Sequence, residues 1–225
     1  MVTAEEYFGD WAQVIDSKAA IFALWQVKAI HPDNLCPSWK NIFKAFKLCP
    51  YNKCRAVFVG QDPYPQRGVA QGILFGNSID TPEDQLSPSL QVVKEAVIDY
   101  TIPHGRIEFD NTLESWCEQG ILMINSALTC KVNQVGSHYN IWHPFISTLF
   151  RNLSLSNSGL IWVLFGNQAS SYKQYILGSQ NILEVYHPAY YARRQEKMPN
   201  VFAKVNEILK GQNGDQFKFY KEYEY

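Results

Sequence analysis

The segment Gly60-Gln61-Asp62-Pro63-Tyr64-Pro65 sets a carboxylate just beyond the apolar run CRAVFVG (54–60) and follows it with two prolines. Proline rings fix backbone torsions, so Asp62 sits in a stiff and partly desolvated turn. A carboxylate held this way can orient a water or stabilise a developing cation. It can equally cap its own turn by accepting backbone N–H bonds, and spacing alone leaves both readings open. His187-Pro188 follows another apolar run. A lone histidine is more often structural, but one at a strand end opposite an acid from another strand end is placed for chemistry. Asn125 lies inside ILMINSALT (121–129), where burial is expected, so its amide needs partners. Those are either bonds internal to the fold or the edge of a polar ligand. Phe75, in QGILFGN, reads as core or as a stacking platform.

Something must bring these residues together. The runs 54–60, 121–129, 160–166 and 182–187 are short and almost continuously apolar, as strands covered on both faces are. Between and around them, the patterning predicts helices over 4–29, 38–47, 88–99, 112–119, 143–155, 170–177 and 199–210, the last with Pro199 in its first turn. Strands alternating with helices imply an α/β fold, three layers with helices on either side of a central, four-stranded, mostly parallel sheet. The runs end in GQDPYP, INS, FGNQ and YHP. Ligands bind beyond the carboxyl ends of such strands, so the four loops are expected to meet at one site.

Composition narrows the classes. The 225 residues are 46% hydrophobic and only 18% charged, which supports a core and excludes a disordered chain. Lys plus Arg is 20 against 21 for Asp plus Glu, a net charge of -1, so coating nucleic acid by bulk charge is excluded. A local basic rim remains open, with Arg67, Lys131, Arg193, Arg194 and Lys197 as candidates. No apolar run reaches the ~18 residues of a membrane span. The start, MVTAEEYFGDW, lacks the pattern of a signal peptide. Cysteines 36, 49, 54, 117 and 130 form no CxxC, which fits an intracellular, reducing compartment. The His and Cys residues form no ligand-spaced cluster, so no metal is implied.

Taken in order, the motifs carry a resemblance. GQDPYPQRGVAQGILFGNS resembles the water-activating motif of the family 1 uracil-DNA glycosylases, and LSPSL (86–90) is similar to their proline- and serine-rich loop. ESWCEQGILMINSALT (114–129), GSH (136–138), LIWVLFGNQA and YHPAYY follow at family spacing. The likeness covers about residues 36–210 of a single domain expected to span 1–225. It implies excision of uracil from DNA, leaving an abasic site and starting base excision repair. Asp62 would position the attacking water and stabilise the oxocarbenium-like sugar, and His187 would donate to uracil O2. Gln61 would line the pocket through its backbone, Tyr64 would exclude the methyl of thymine, Phe75 would stack on the base and Asn125 would bond its amide edge. Pro88 and Ser89 would pinch the DNA backbone. The base must be flipped out or already unpaired. No cofactor is needed and no lyase step is expected, since water is the nucleophile.

The departures lie in the DNA-facing loops. Ala189 replaces a phosphate-contacting serine, Tyr191 a leucine that wedges into the stack, and Asn167 a serine that contacts phosphate. Pro65 and Gln71 stand where the family has histidines. Arg193 and Arg194 could supply phosphate contacts, or form a solvated turn. The PYP and HPA variants are similar to the poxvirus branch, whose glycosylase also serves a polymerase processivity factor. The partners implied are uracil-containing DNA, single- or double-stranded, with a DNA-mimicking inhibitor protein or replication proteins as further candidates; no membrane is expected, and the chain is expected to be a monomer. The alternative is a weakly active or inactive DNA-binding subunit of a replication complex, for which the aromatic tail QFKFYKEYEY (216–225) would be the exposed apolar patch. A third reading, an α/β enzyme of free nucleotides, lacks a GxGxxG or P-loop fingerprint.

Overall fold

The computed structural model describes residues 4–98, 105–178 and 181–223. The four apolar runs form one parallel sheet of strands Ala56–Gly60, Ile121–Asn125, Ile161–Phe165 and Ile182–Val185. In space the order is 121–125, 56–60, 161–165, 182–185. Every residue of the two central strands is buried, which is why their sequences do not alternate. The chain leaves 56–60 for the neighbour on one side and then crosses to the other. The order therefore reverses at 56–60, and the crevice beyond its carboxyl end is the place for a ligand. Gly60 lies level with Asn125, so the ends of the two strands are in register.

Helices flank this sheet as expected, with shifted ends. The 4–29 stretch breaks at Gly9 (φ +58) into Ala4–Phe8, a 3-10 turn Gly9–Gln13 and Ser17–Ile30. Asp16 caps the last of these, accepting from the amides of Lys18 and Ala19 at 3.0 and 3.1 Å. The 38–47 segment is a 3-10 turn, Trp39–Asn41, and a short helix, Lys44–Leu48. The 88–99 segment gives Pro88–Val97, residue 99 lying outside the described residues. The helix expected over 112–119 shrinks to Glu114–Glu118, because Leu113 is left-handed (φ +57) and the Asp110 carboxylate ties up the amides of Thr112 and Ser115.

The helix expected over 143–155 begins earlier, at Tyr139, and runs to Ser156 with Pro144 inside it. Burial of Trp142, whose indole donates to Thr129 Oγ1 at 2.8 Å, holds that first turn in place. The segment 170–177 is a helical turn, Asn167–Ser170, followed by a 3-10 turn, Ser171–Tyr175. The last helix is Val201–Gly211. Its cap is Asn200, accepting from the Ala203 amide at 2.9 Å, so Pro199 precedes the helix instead of opening it. The run 121–129 is strand only to Asn125; Cys130–Lys131 turns away to pair with Leu35–Cys36. The sequence reading missed a helix, Pro188–Arg194, which packs on Pro88–Val97.

Both termini of the described chain are tied to this body. Trp11 donates to the Cys49 carbonyl at 2.7 Å. Near the other end, Trp116 donates to the Phe219 carbonyl at 3.0 Å, Phe217 and Phe219 are buried, and Lys221–Tyr223 pairs with Arg106–Glu108. Within 216–223, Phe217 and Phe219 are thus core and Lys221–Tyr223 is an edge strand, while residues 224 and 225 lie outside the described residues. No helix among the described residues is long and apolar enough to cross a membrane, and no group of His, Cys, Asp or Glu there could hold a metal ion.

Candidate active site

Beyond the carboxyl ends of the strands lies a cavity of about 280 Å³. Its lining includes Asp62, Tyr64, Phe75, Asn125 and His187, drawn from four separate segments. Gln61, Ser89, Ala189 and Arg193 also border it. Two glycines make the approach possible. A Cβ on Gly60 would stand 2.7 Å from Asn125 Oδ1 and 2.2 Å from Leu74 Cδ1. Gly166 (φ +88) ends the third strand where a Cβ would meet that of His187 at 2.9 Å.

Asp62 does not cap its own turn. Its Oδ2 accepts from the amide of Gly136, in the GSH segment, at 2.7 Å. Burial raises its pKa above the ordinary carboxylate value, opposed by that amide and by the Tyr139 hydroxyl. Gly136 opens the GSH element already noted in the sequence, whereas Tyr139, just beyond it, is a functional neighbour that pattern reading did not single out. Gly136 adopts φ +76, which suits the glycine of the motif.

His187 is the residue before the Pro188–Arg194 helix and caps it with its ring. Its Nδ1 accepts from the Ala189 amide at 3.2 Å. In the neutral imidazole the proton is therefore on Nε2, which is left as a donor. Burial, reinforced by the Arg193 charge, lowers the pKa of His187 to about 4, so the ring is neutral at physiological pH.

Phe75 is buried and held at φ +63, a costly conformation for a bulky side chain. Its carbonyl accepts from the Tyr64 hydroxyl at 3.1 Å. Its ring meets Phe165 edge-on at 5.1 Å and His187 at 5.4 Å. Tyr64 thus fills one wall and pins another. Asn125 is half-buried and its amide makes no hydrogen bond to the described residues, leaving it free to pair with a ligand. The Gln61 carbonyl is spent on Ser126 Oγ (2.7 Å) and the Ala127 amide (3.1 Å), which lock the first loop to the second.

Pro88 opens its helix and Ser89, buried, borders the cavity. The loop before them is clamped by Asn77, which donates to Ser87 Oγ at 2.9 Å and accepts from the Ser87 amide at 3.1 Å. A buried amide after FG was the one available signal for Asn77, and it is a weak one.

The outer loop divides its side chains between buried and exposed positions. Tyr191, which stands where the family has a wedging leucine, is only 7% exposed, because its helix packs on Pro88–Val97. Tyr186, by contrast, is 58% exposed. Arg193 is exposed at the cavity rim, whereas Arg194 bonds Glu196 at 2.7 Å and lies over the Tyr190 ring. Asn167 is exposed and borders a second, neighbouring hollow. Arg67 donates to the Asp33 carbonyl and to Asn34, away from the cavity lining.

The comparisons with known proteins agree with this geometry. A sequence model described as the Uracil DNA glycosylase superfamily matches residues 46–210. The chain is 35% identical over 178 residues to a uracil-DNA glycosylase of Campylobacter jejuni, covering 77% of this chain and 74% of that one. It is 36% identical over 180 residues to one of Coxiella burnetii, covering 77% and 75%. Among solved structures it is similar to a mimivirus uracil-DNA glycosylase, with a TM-score of 0.71 at 21% identity over 94% of this chain and 90% of that one. A mimivirus UNG variant in complex with UGI is equally similar in fold, with a TM-score of 0.71. The poxvirus likeness of the outer loop is not confirmed by these relatives.

Proposed function

The chain belongs to the uracil DNA glycosylase superfamily, and from that premise we propose how its own residues remove the base. The protein is a uracil-DNA glycosylase: it hydrolyses the N-glycosidic bond of uracil in DNA, in base excision repair. The accessory-subunit alternative has no support, and Phe217 and Phe219 of the segment that would have served it are packed into the body.

Cleaving the bond spreads positive charge over the sugar and negative charge over the base. The Asp62 carboxylate stands under the sugar and holds the water, with the Gly136 amide fixing its direction. His187 donates from Nε2 to uracil O2 as the base takes up charge. The carrying observation is the Ala189 amide on Nδ1, which commits the neutral ring to that tautomer. A neutral donor is sufficient because uracil is a comparatively good leaving group. Preorganised groups of this kind are each worth roughly 10²–10³ in rate.

Selection comes from the remaining walls. Phe75 stacks on the base. The Asn125 amide pairs with the uracil edge; cytosine offers a donor where uracil offers an acceptor and leaves buried groups unpaired. Tyr64, immobilised by its bond to the Phe75 carbonyl, occupies the space a thymine methyl would need. Pro88, Ser89 and Arg193 hold the DNA backbone at the rim, while Ala189, whose amide is used by His187, contributes contact only. Asn167 meets phosphate from the neighbouring hollow. Water is the nucleophile, so the abasic strand is left unbroken and no cofactor takes part. The chain acts as one domain, 1–225, as an intracellular monomer on single- or double-stranded DNA. An inhibitor protein that imitates DNA would seat on the same rim.

The test is incubation with uracil-containing oligonucleotides, single- and double-stranded, in the presence of a chelator. Free uracil and an alkali-sensitive, otherwise intact strand are expected. No release from either substrate, with DNA binding retained, would overturn the reading.

A further inference from the structure

Next to the pocket, the chain carries an aromatic array that uracil recognition leaves unused. Tyr186 immediately precedes His187, and its exposed ring stacks on Tyr190 with 4.6 Å between centroids and 25° between planes. Tyr190 meets Tyr191 edge-on at 5.3 Å, and the Arg194 guanidinium lies 5.3 Å from the Tyr190 centroid. Arg194 is itself steadied by Glu196. An exposed ring held by a stack has already given up much of its freedom, so a further ring can stack on it at low entropic cost.

The array stands between two hollows. His187, Ala189 and Arg193, from the same segment, border the uracil pocket. Tyr186 and Tyr191 border the neighbouring hollow of about 450 Å³, which also presents Asn167, Ser170 and Lys204. These are two hydrogen-bonding side chains and a cation beside an aromatic face, the chemistry of a nucleotide subsite. The one acid in that lining, Glu184, is neutralised by Lys173 at 2.5 Å.

We propose that Tyr186, backed by Tyr190 and Arg194, is the stacking platform for the base next to the extruded uridine, with that nucleotide's phosphate toward Asn167 and Lys204. The inference rests on the glycosylase reading for the identity of the strand. Extruding a nucleotide strips its neighbour of one stacking face, and the exposed Tyr186 ring replaces it. Every base has a π-face, so the platform tolerates any flanking sequence.

The experiment compares kcat/KM of the wild type, Tyr186→Ala and Tyr186→Phe on single-stranded oligonucleotides with uridine between adenosines. A second substrate carries base-free residues on both sides of the uridine. On the first, Tyr186→Ala is expected to lose about 5- to 150-fold, the usual worth of one aromatic stack, while Tyr186→Phe stays near the wild type. On the second, all three should agree. Equal rates for Tyr186→Ala and the wild type on the first substrate, or the same loss on both substrates, would overturn the platform. Binding reads it without catalysis: 2-aminopurine beside the uridine is quenched by the wild type and Tyr186→Phe but not by Tyr186→Ala. Equal quenching by all three also overturns it. A wild-type chain that quenches but releases no uracil would refute the glycosylase reading and leave the platform standing.

Discussion

Lowering the pH should destabilise the protein through His187, by an amount that follows from its surroundings. The unfolded chain carries this histidine with a pKa near 6.5, whereas burial and Arg193 bring it to about 4 in the folded chain. Between those values the unfolded state binds the extra proton, so folded stability falls as pH falls. The contribution is complete above pH 6.5 and is lost progressively toward pH 4. At pH 5 the unfolded group is nearly all protonated and the folded one scarcely at all, a difference of about 2 kcal/mol by linkage. The perturbation is His187→Gln, which retains an acceptor for the Ala189 amide but cannot titrate. Denaturant unfolding of both proteins at pH 7.5 and pH 5 gives four free energies. The wild type should lose about 2 kcal/mol more than the variant over that interval. His138, buried and also lowered to about 4, titrates in both proteins and cancels. Equal pH dependence in the two proteins, or an NMR midpoint for His187 near 6.5, would refute the lowered pKa and the linkage built on it.

Other perturbations probe the walls of the pocket. Gly60→Ala places a methyl against Leu74 and Asn125 and should cost about 1–3 kcal/mol in thermal or denaturant unfolding, with a rise in KM as the amide is displaced. Tyr64→Phe removes the bond to the Phe75 carbonyl; a loss of about 0.5–1.5 kcal/mol is expected in the same assay, with uracil still preferred over thymine because the ring remains. Asn125→Asp presents an acceptor to the cytosine amino group, so chromatography of released bases should show cytosine gaining on uracil.

The strand runs were legible because the central strands are covered on both faces and therefore contain little but apolar side chains. That the polar residues at their ends would meet was equally legible, since parallel strands bring their carboxyl ends to one side. Tertiary packing hid the rest. Nothing in HPAYYARR says that its helix lies on Pro88–Val97, so burial of Tyr191 and exposure of Tyr186 could not be read from the chain. Phe217 and Phe219 look like an exposed tail until Trp116 and Arg55 are seen against them. Gly136 reaches Asp62 from 74 residues along the chain, and Tyr139 from the start of the helix that follows, separations that no local pattern records. One apolar surface does lie open, on the helix Ser17–Ile30, where Trp25 is 73% exposed with Phe22 and Ile21 beside it. Composition gave no hint of it.

The central claim is that Asp62 and His187 act at opposite ends of the breaking bond. Single-turnover uracil release by Asp62→Asn and by His187→Ala, with oligonucleotide affinity measured alongside, tests it most directly. Each variant should lose on the order of 10²–10³ in rate while binding uracil-containing DNA nearly as well as the wild type. A variant of either residue that releases uracil at the wild-type rate would contradict the account.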